Sequence, residues 1–148
     1  MGRPVTIYTI GFTKKPAREF FGLLSESKAR RLVDVRLNNV SQLSGFAKKA
    51  DLAFFVHEIC GMQYHHEPLL APTSELLDSY RSGSVSWAEY EAAFNNLLTE
   101  RAVELSLTRD LVDDSVLLCS EPTAQKCHRR LAAEYLARHW GGLSVQHL

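Results

Sequence analysis

The sequence has no excess of charge of either sign. Lys and Arg number 17, Asp and Glu number 17, and the pI is about 7.0. Attraction of a whole chain to nucleic acid or an acidic membrane needs a basic surplus, so composition argues for neither partner. No run of about 18 apolar residues exists, which excludes a membrane-spanning helix, and the amino-terminal residues lack the apolar core of a signal peptide. Met1-Gly2-Arg3-Pro4-Val5-Thr6 fits the loose myristoylation pattern, but Thr6 is needed at once inside a strand. Cysteines are few and odd in number, three in all, which suits a reducing compartment better than a disulfide scaffold. The expected location is cytoplasmic, where the Asn39-Val40-Ser41 sequon has no role. Internal repeats, low-complexity tracts and linkers are also lacking.

What remains is an ordinary globular composition: 148 residues, 45% hydrophobic and 23% charged. That is enough chain for one domain with one sizeable core. Val5 to Ile10 is β-branched and nearly continuously apolar, as a central parallel strand is. Thr13 can cap a helix whose apolar positions are Ala17, Phe20, Phe21 and Leu24. Leu32 to Val35 reads as a second buried strand, followed by a polar loop from Asn38 to Gly45. Lys48 to Cys60 reads as a helix closed by Gly61, and Met62 to His65 as a weaker strand. Two prolines make Glu67 to Pro72 an irregular loop. Thr73 caps a short helix through Leu76, Leu77 and Tyr80. Ser86 caps a longer one carrying Trp87, Tyr90, Phe94, Leu97, Leu98 and Leu105. Ser115 to Cys119 is a strand, about Thr123 to Trp140 a helix, and Leu143 to His147 a last strand.

Strands alternating with helices predict a single-domain α/β three-layer sandwich, with a mainly parallel Rossmann-like sheet of about five strands. The simplest order puts the first strand beside the fourth, with the second and third beyond the first. The switch point then falls between the loops after Ile10 and Cys119, where ligands of open α/β sheets bind.

Chemistry gathers at that expected crevice. Cys119, Glu121, Cys127, His128 and Arg129 lie in one strand-to-helix junction. Cys127, read in the first helical turn beside His128 and Arg129, gains a favoured thiolate from the helix dipole and the cations. Cys119 reads first as a small buried hydrophobe and only second as a nucleophile, while for Cys127 the reactive and the packing readings stand even. His128 shares a face with Leu131, Ala132 and Tyr135, leans toward the sheet, and fits a general acid or base or a core histidine. Glu121 fits a helix cap or a proton carrier. Asp34 and Arg36, two apart on a strand, fit a buried pair, with Arg36 also suited to anion recognition. Gly11 and Thr13 can cradle a phosphate ahead of a helix. Tyr64, before an irregular loop, is the tyrosine placed to reach a ligand; Tyr80, Trp87 and Tyr90 read as core. Metal is not assigned: the spacing matches no closed zinc pattern, and adjacent Cys127 and His128 would project about 100° apart on a helix.

The ordered set Thr9-Ile10-Gly11, Asp34-Val35-Arg36, Cys119-Ser120-Glu121 and Cys127-His128-Arg129 resembles the uncharacterised family known as domain of unknown function 488. The resemblance covers nearly the whole length, and Leu69-Leu70-Ala71-Pro72-Thr73 and the near-terminal His147 also fit it. Departures are Phe12 and Thr13, where that family often has His and Ser, and Leu37-Asn38-Asn39, where it commonly has a proline. The resemblance implies a compact α/β domain with a shared polar crevice, and no established reaction. A catalytic His does not carry over to Phe12, although the hydroxyl carries over to Thr13.

The residues point to an enzyme acting on a small anionic ligand, phosphate-bearing in the manner of a nucleotide or nucleic-acid piece. Arg36, Arg129 and the helix start hold the anion, Gly11 and Thr13 assist, Cys119 or Cys127 attacks, and Glu121 or His128 moves the proton. Two other classes stay open. One is a non-catalytic nucleotide or nucleic-acid binder using the local basic stretch from Lys126 to Arg138, four basic residues against Glu134. The other is a thiol redox or metal-sensing protein using Cys119 and Cys127. No cofactor and no oligomeric state are indicated.

Overall fold

The computed structural model describes residues 5–37, 49–120 and 125–148. Five parallel strands form one sheet: β1 (Val5–Gly11), β2 (Arg31–Asp34), β3 (Gln63–His66), β4 (Ser115–Cys119) and β5 (Leu143–His147). Helices α1 (Ala17–Ser27) and α2 (Lys49–Cys60) cover one face. The other face is covered by α4 (Trp87–Arg101) and α7 (His128–Trp140), with α3 (Ser74–Arg81) packed on α4. Two short helical turns, α5 (Val103–Ser106) and α6 (Arg109–Val112), lead into β4. The three-layer α/β sandwich read from the sequence is the fold observed. No helix among the described residues is long and apolar enough to cross a membrane.

Period-two alternation along the strands sorts side chains to the two faces. Val33, Val35 and Leu117 join Phe94, Leu98, Leu131 and Leu136 on the α4/α7 face. Leu32, Val116 and Leu118 join Phe20, Leu24, Leu52 and Val56 on the α1/α2 face.

The strand order is β3-β2-β4-β1-β5. The expected contact of β1 with β4 is present, but β2 pairs with β4 and not with β1. Burial explains the correction. All five residues of β4 are buried, so it takes a central place with neighbours on both sides. β3, Gln-Tyr-His-His, is half-buried and takes an edge, as does β5. Hydrophobic pattern says that a strand is central, not which two strands flank it.

Several local expectations also change. Thr13 does not cap α1; Pro16 precedes the helix, and the Thr13 N–H donates to the Ser120 carbonyl at 3.0 Å. Proline's fixed φ already suits a helix start. The segment after β3 contains a 3-10 turn, Pro68–Leu70, capped by the Glu67 carboxylate. Arg101 ties that segment down by donating to the carbonyls of Leu69 at 2.8 Å and Ala71 at 2.7 Å. Helix α4 stops at Arg101, because Ala102 turns left-handed at φ 49°. Leu105 therefore lies on α5 and is 83% exposed rather than on the α4 stripe. Helix α7 begins at His128, and Thr123, expected to start it, lies outside the described residues. Caps at Ser86, with a reciprocal Glu89, at Thr73 and at Gly61 (φ 65°) are as read.

Candidate functional site

The position of β4 decides the site. The chain leaves β1 and β2 toward α1 and α2 on one face, and leaves β4 toward α7 on the other. The carboxyl end of β4 thus sits in a switch point with β1 on one side and β2 on the other. Gly11 pairs with Cys119, and the Val35 N–H donates to the Leu118 carbonyl at 3.0 Å. A cavity of about 230 Å³ opens there. Its walls are Phe12 after β1, Arg36 and Leu37 after β2, Cys119 and Ser120 at β4, and Lys126, Cys127 and His128 at the start of α7. Leu77, Tyr80 and Arg81 of α3 and Trp87 and Tyr90 of α4 close the remaining side.

Arg36 is held rigidly. Its Nε and Nη2 donate to the Asp34 carboxylate at 2.9 and 2.7 Å, and its backbone N–H donates to the same carboxylate at 3.1 Å. The Tyr64 hydroxyl donates to the second Asp34 oxygen. Arg36 is 3% exposed and Asp34 fully buried, so the pair is a desolvated fork. Burial works against the charged guanidinium, but Asp34 outweighs it and pushes the Arg36 pKa up. The third nitrogen, Nη1, is buried and has no hydrogen-bond partner among the described residues. The guanidinium also lies 5.2 Å from the Phe12 ring centroid.

The imidazole is equally constrained. His128 Nε2 lies 2.7 Å from the Val35 carbonyl. A carbonyl only accepts, so Nε2 carries the proton and the neutral ring presents the Nδ1 lone pair. That atom lies 3.5 Å from Cys119 Sγ. Burial opposes a charge on His128, yet the electrostatic pull and hydrogen bond of Cys119, aided by Val35, outweigh it and raise the pKa. Phe94 packs edge-on against the ring.

Cys127 departs from expectation. It is not in the first turn of a helix but precedes α7 with extended backbone, φ −142° and ψ 140°. It is 2% exposed. Burial, then the neighbouring Cys119, push its thiol well up, and Arg129 opposes this only in part. A thiolate at Cys127 is therefore disfavoured, where the dipole argument expected it to be favoured. The expected 100° divergence of Cys127 and His128 also fails, because only His128 is helical. The ligand atoms of Cys119, Cys127 and His128 all lie within 4.8 Å of one another.

The remaining sequence candidates fall around this centre. Gly11 is a sheet residue behind Cys119, and Thr13 faces Ser120 through its backbone; neither lines the cavity. Asp34 and Tyr64 stand behind Arg36 and hold it in place; neither lines the cavity. Arg129 is fully buried and lies off the cavity wall. Glu121 lies outside the described residues. The stretch from Lys126 to Arg138 does not form one basic patch: Arg129 is enclosed, Arg130 pairs with Glu134 at 3.3 Å, and Arg138 lies over Tyr135. Sequence reasoning missed Phe12, Tyr80, Arg81, Trp87, Tyr90 and Lys126 as cavity residues. Helical spacing marked Tyr80, Trp87 and Tyr90 as core, and they do pack there, but they also line the wall. No sequence signal separates those two uses.

Three cations, Arg36, Arg81 and Lys126, line the cavity, and no described carboxylate does. The arrangement can therefore hold an anion beside a thiol that has its own base. A model of the family described as domain of unknown function DUF488 matches residues 16–136. Comparison with curated proteins and with solved structures finds no match.

Proposed function

We propose, from the premise that the chain belongs to the DUF488 family, that it is an enzyme acting on a small anionic ligand through Cys119. The observation that carries this reading is the meeting, in one cavity, of a Cys–His pair and a rigid guanidinium whose Nη1 has no partner among the described residues. An anion on Arg36 stands over the thiol, with Lys126 and Arg81 adding positive potential at the mouth. The aromatic wall of Tyr80, Trp87 and Tyr90 suits a planar group on the same ligand, as in a nucleotide.

His128 Nδ1 takes the Cys119 proton, and the imidazolium then stabilises the thiolate beside it. The thiolate attacks the electrophilic centre, a bond from sulfur to that centre forms, and the leaving group departs with the proton from Nδ1. Water releases the covalent intermediate, giving its proton back to His128, and the free thiol is restored. Cys127, kept protonated by burial, donates to the Cys119 sulfur and is not the nucleophile. This reverses the weight that sequence reasoning gave the two thiols.

The test is competitive alkylation mapped by mass spectrometry, with anionic iodoacetate against neutral iodoacetamide. Cys119 should react faster than the half-exposed Cys60, and faster with iodoacetate than with iodoacetamide. Inorganic phosphate or a nucleoside monophosphate should slow it. An Arg36→Met variant should lose the iodoacetate preference, and Cys119→Ser should abolish turnover of any substrate found. Protection of Cys119 by ligand without turnover would favour the binding module instead. Cys119 reacting no faster than Cys60, with both reagents alike and no protection, would end the thiolate reading.

A further inference from the structure

The geometry points to a site for a borderline-soft divalent cation of the Zn²⁺ class, held by Cys119 Sγ, Cys127 Sγ and His128 Nδ1 with a fourth position open to the cavity. This goes beyond the proposed thiol chemistry, and it regulates it, because an ion on Cys119 occupies the lone pair that would attack.

Four observations carry the inference. The three ligand atoms lie within 4.8 Å of one another, and all three residues are buried. A zinc ion with arms of about 2.3 Å to sulfur and about 2.05 Å to nitrogen, at the tetrahedral angle, spaces those two atoms by about 3.6 Å. Cys119 Sγ and His128 Nδ1 are 3.5 Å apart. The other ring nitrogen, Nε2, is anchored on the Val35 carbonyl at 2.7 Å, the outer-shell contact that fixes a ligating imidazole in the right tautomer. Finally, Cys119, Cys127 and His128 all line the cavity. The open position therefore faces the space over which Arg36 presides, as in zinc sites with three protein ligands and an exchangeable fourth. Two thiolates and an imidazole also select a borderline-soft ion over Mg²⁺ or Ca²⁺.

Binding releases the two thiol protons to solvent and forms two metal–sulfur bonds and one metal–nitrogen bond, with no change of oxidation state. The ion's two positive charges balance the two thiolates, so the pair of buried sulfurs no longer opposes its own ionisation.

The experiment is a titration of the reduced, metal-stripped protein with Co²⁺ and then Zn²⁺. One equivalent of Co²⁺ should bind and give sulfur-to-cobalt charge-transfer absorption with four-coordinate d–d bands, and Zn²⁺ should displace it. X-ray absorption of the zinc-loaded native protein should show two sulfurs at about 2.3 Å and light atoms at about 2.0–2.1 Å. Cys127→Ser should lower the affinity at least tenfold, and Cys60→Ser should not change it. Failure to take up one equivalent, a shell without two sulfurs, or loss of binding in Cys60→Ser would each overturn the site. The two proposals fail separately. Alkylation of the metal-free protein reads the nucleophile, and its suppression by stoichiometric Zn²⁺ reads the metal. Uptake without thiol reactivity sinks only the first, and reactivity without uptake sinks only the second.

Discussion

On the α1/α2 face of the sheet, Ile10, Leu32, Val116 and Leu118 meet Phe20, Phe21, Leu24, Leu52 and Val56. On the α4/α7 face, Val33, Val35 and Leu117 meet Phe94, Leu98, Leu131 and Leu136 in the same way. That second cluster continues without a break into Cys119, Cys127 and Tyr90, beside buried His128 and Arg129. Polar groups ride on the first face too: alternation from Leu32 puts Asp34 there, with Tyr64 donating to it and Phe12 under Arg36, so one face ends in the Asp34–Arg36 fork and the other in the Cys119–His128 pair. The candidate site is therefore not laid on the surface. It is the polar rim of a core, and its groups are held by the same helices that bury the strands.

The largest effects come from truncating one matched phenylalanine on each face. Phe20→Ala and Phe94→Ala should each lower stability by about 3–5 kcal/mol in chemical denaturation, since both rings are fully buried. Only Phe94→Ala should also change Cys119 alkylation, because its ring packs on His128 at 5.6 Å between centroids. Equal effects on alkylation would mean that the two faces are not functionally distinct. Asp34→Ala strips Arg36 of its buried partner and should cost about 3 kcal/mol. Unlike Phe20→Ala, it should also weaken phosphate protection of Cys119, measured at a denaturant-free temperature where both variants are folded. A smaller change tests the start of α4, next to the cavity-lining Trp87. Ser86→Ala should cost about 1 kcal/mol by removing the cap, with only a small change in alkylation, because Trp87 and Tyr90 stay packed in the core.

The smallest effect is a pH dependence at that same cap. Glu89 accepts from the Ser86 backbone at 3.0 Å, and this bond, with the Ser86 hydroxyl, holds its carboxyl below the ordinary value. A carboxyl whose pKa is lower folded than unfolded adds stability above the unfolded pKa. That stability is lost as pH falls through the folded one. Glu89→Gln should therefore lower melting slightly at neutral pH, leave it unchanged in acid, and so flatten the acid limb of the thermal melting curve. An equal loss at neutral and acid pH would show that Glu89 acts through packing instead.

The caps of α3 and α4, all five strands and the two-faced burial were readable because each rests on local chemistry. A hydroxyl three residues before a free N–H caps wherever the chain lies, and alternation in Leu32-Val33-Asp34-Val35 sorts faces whatever the neighbours. Asp34 and Arg36 were readable as a pair for the same reason. The place of β4 between β2 and β1 was not, because pairing partners are chosen by contacts far apart in sequence. The conformation of Cys127 was not either. Its extended backbone depends on where α7 docks, and that one turn reverses both the thiolate argument and the metal argument.

The layered α/β class, the strand ends that carry polar residues and the residue types gathered there follow from periodicity and strand-end chemistry, which are local. Only the tertiary structure decided that Cys119, not Cys127, faces the imidazole, that Arg129 is enclosed while Arg36 looks into the cavity, and that α3 and α4 supply its aromatic wall. The reason is geometric. These relations join atoms from β1, β2, β4, α3, α4 and α7, and they exist only once the central strand has brought three strand ends together.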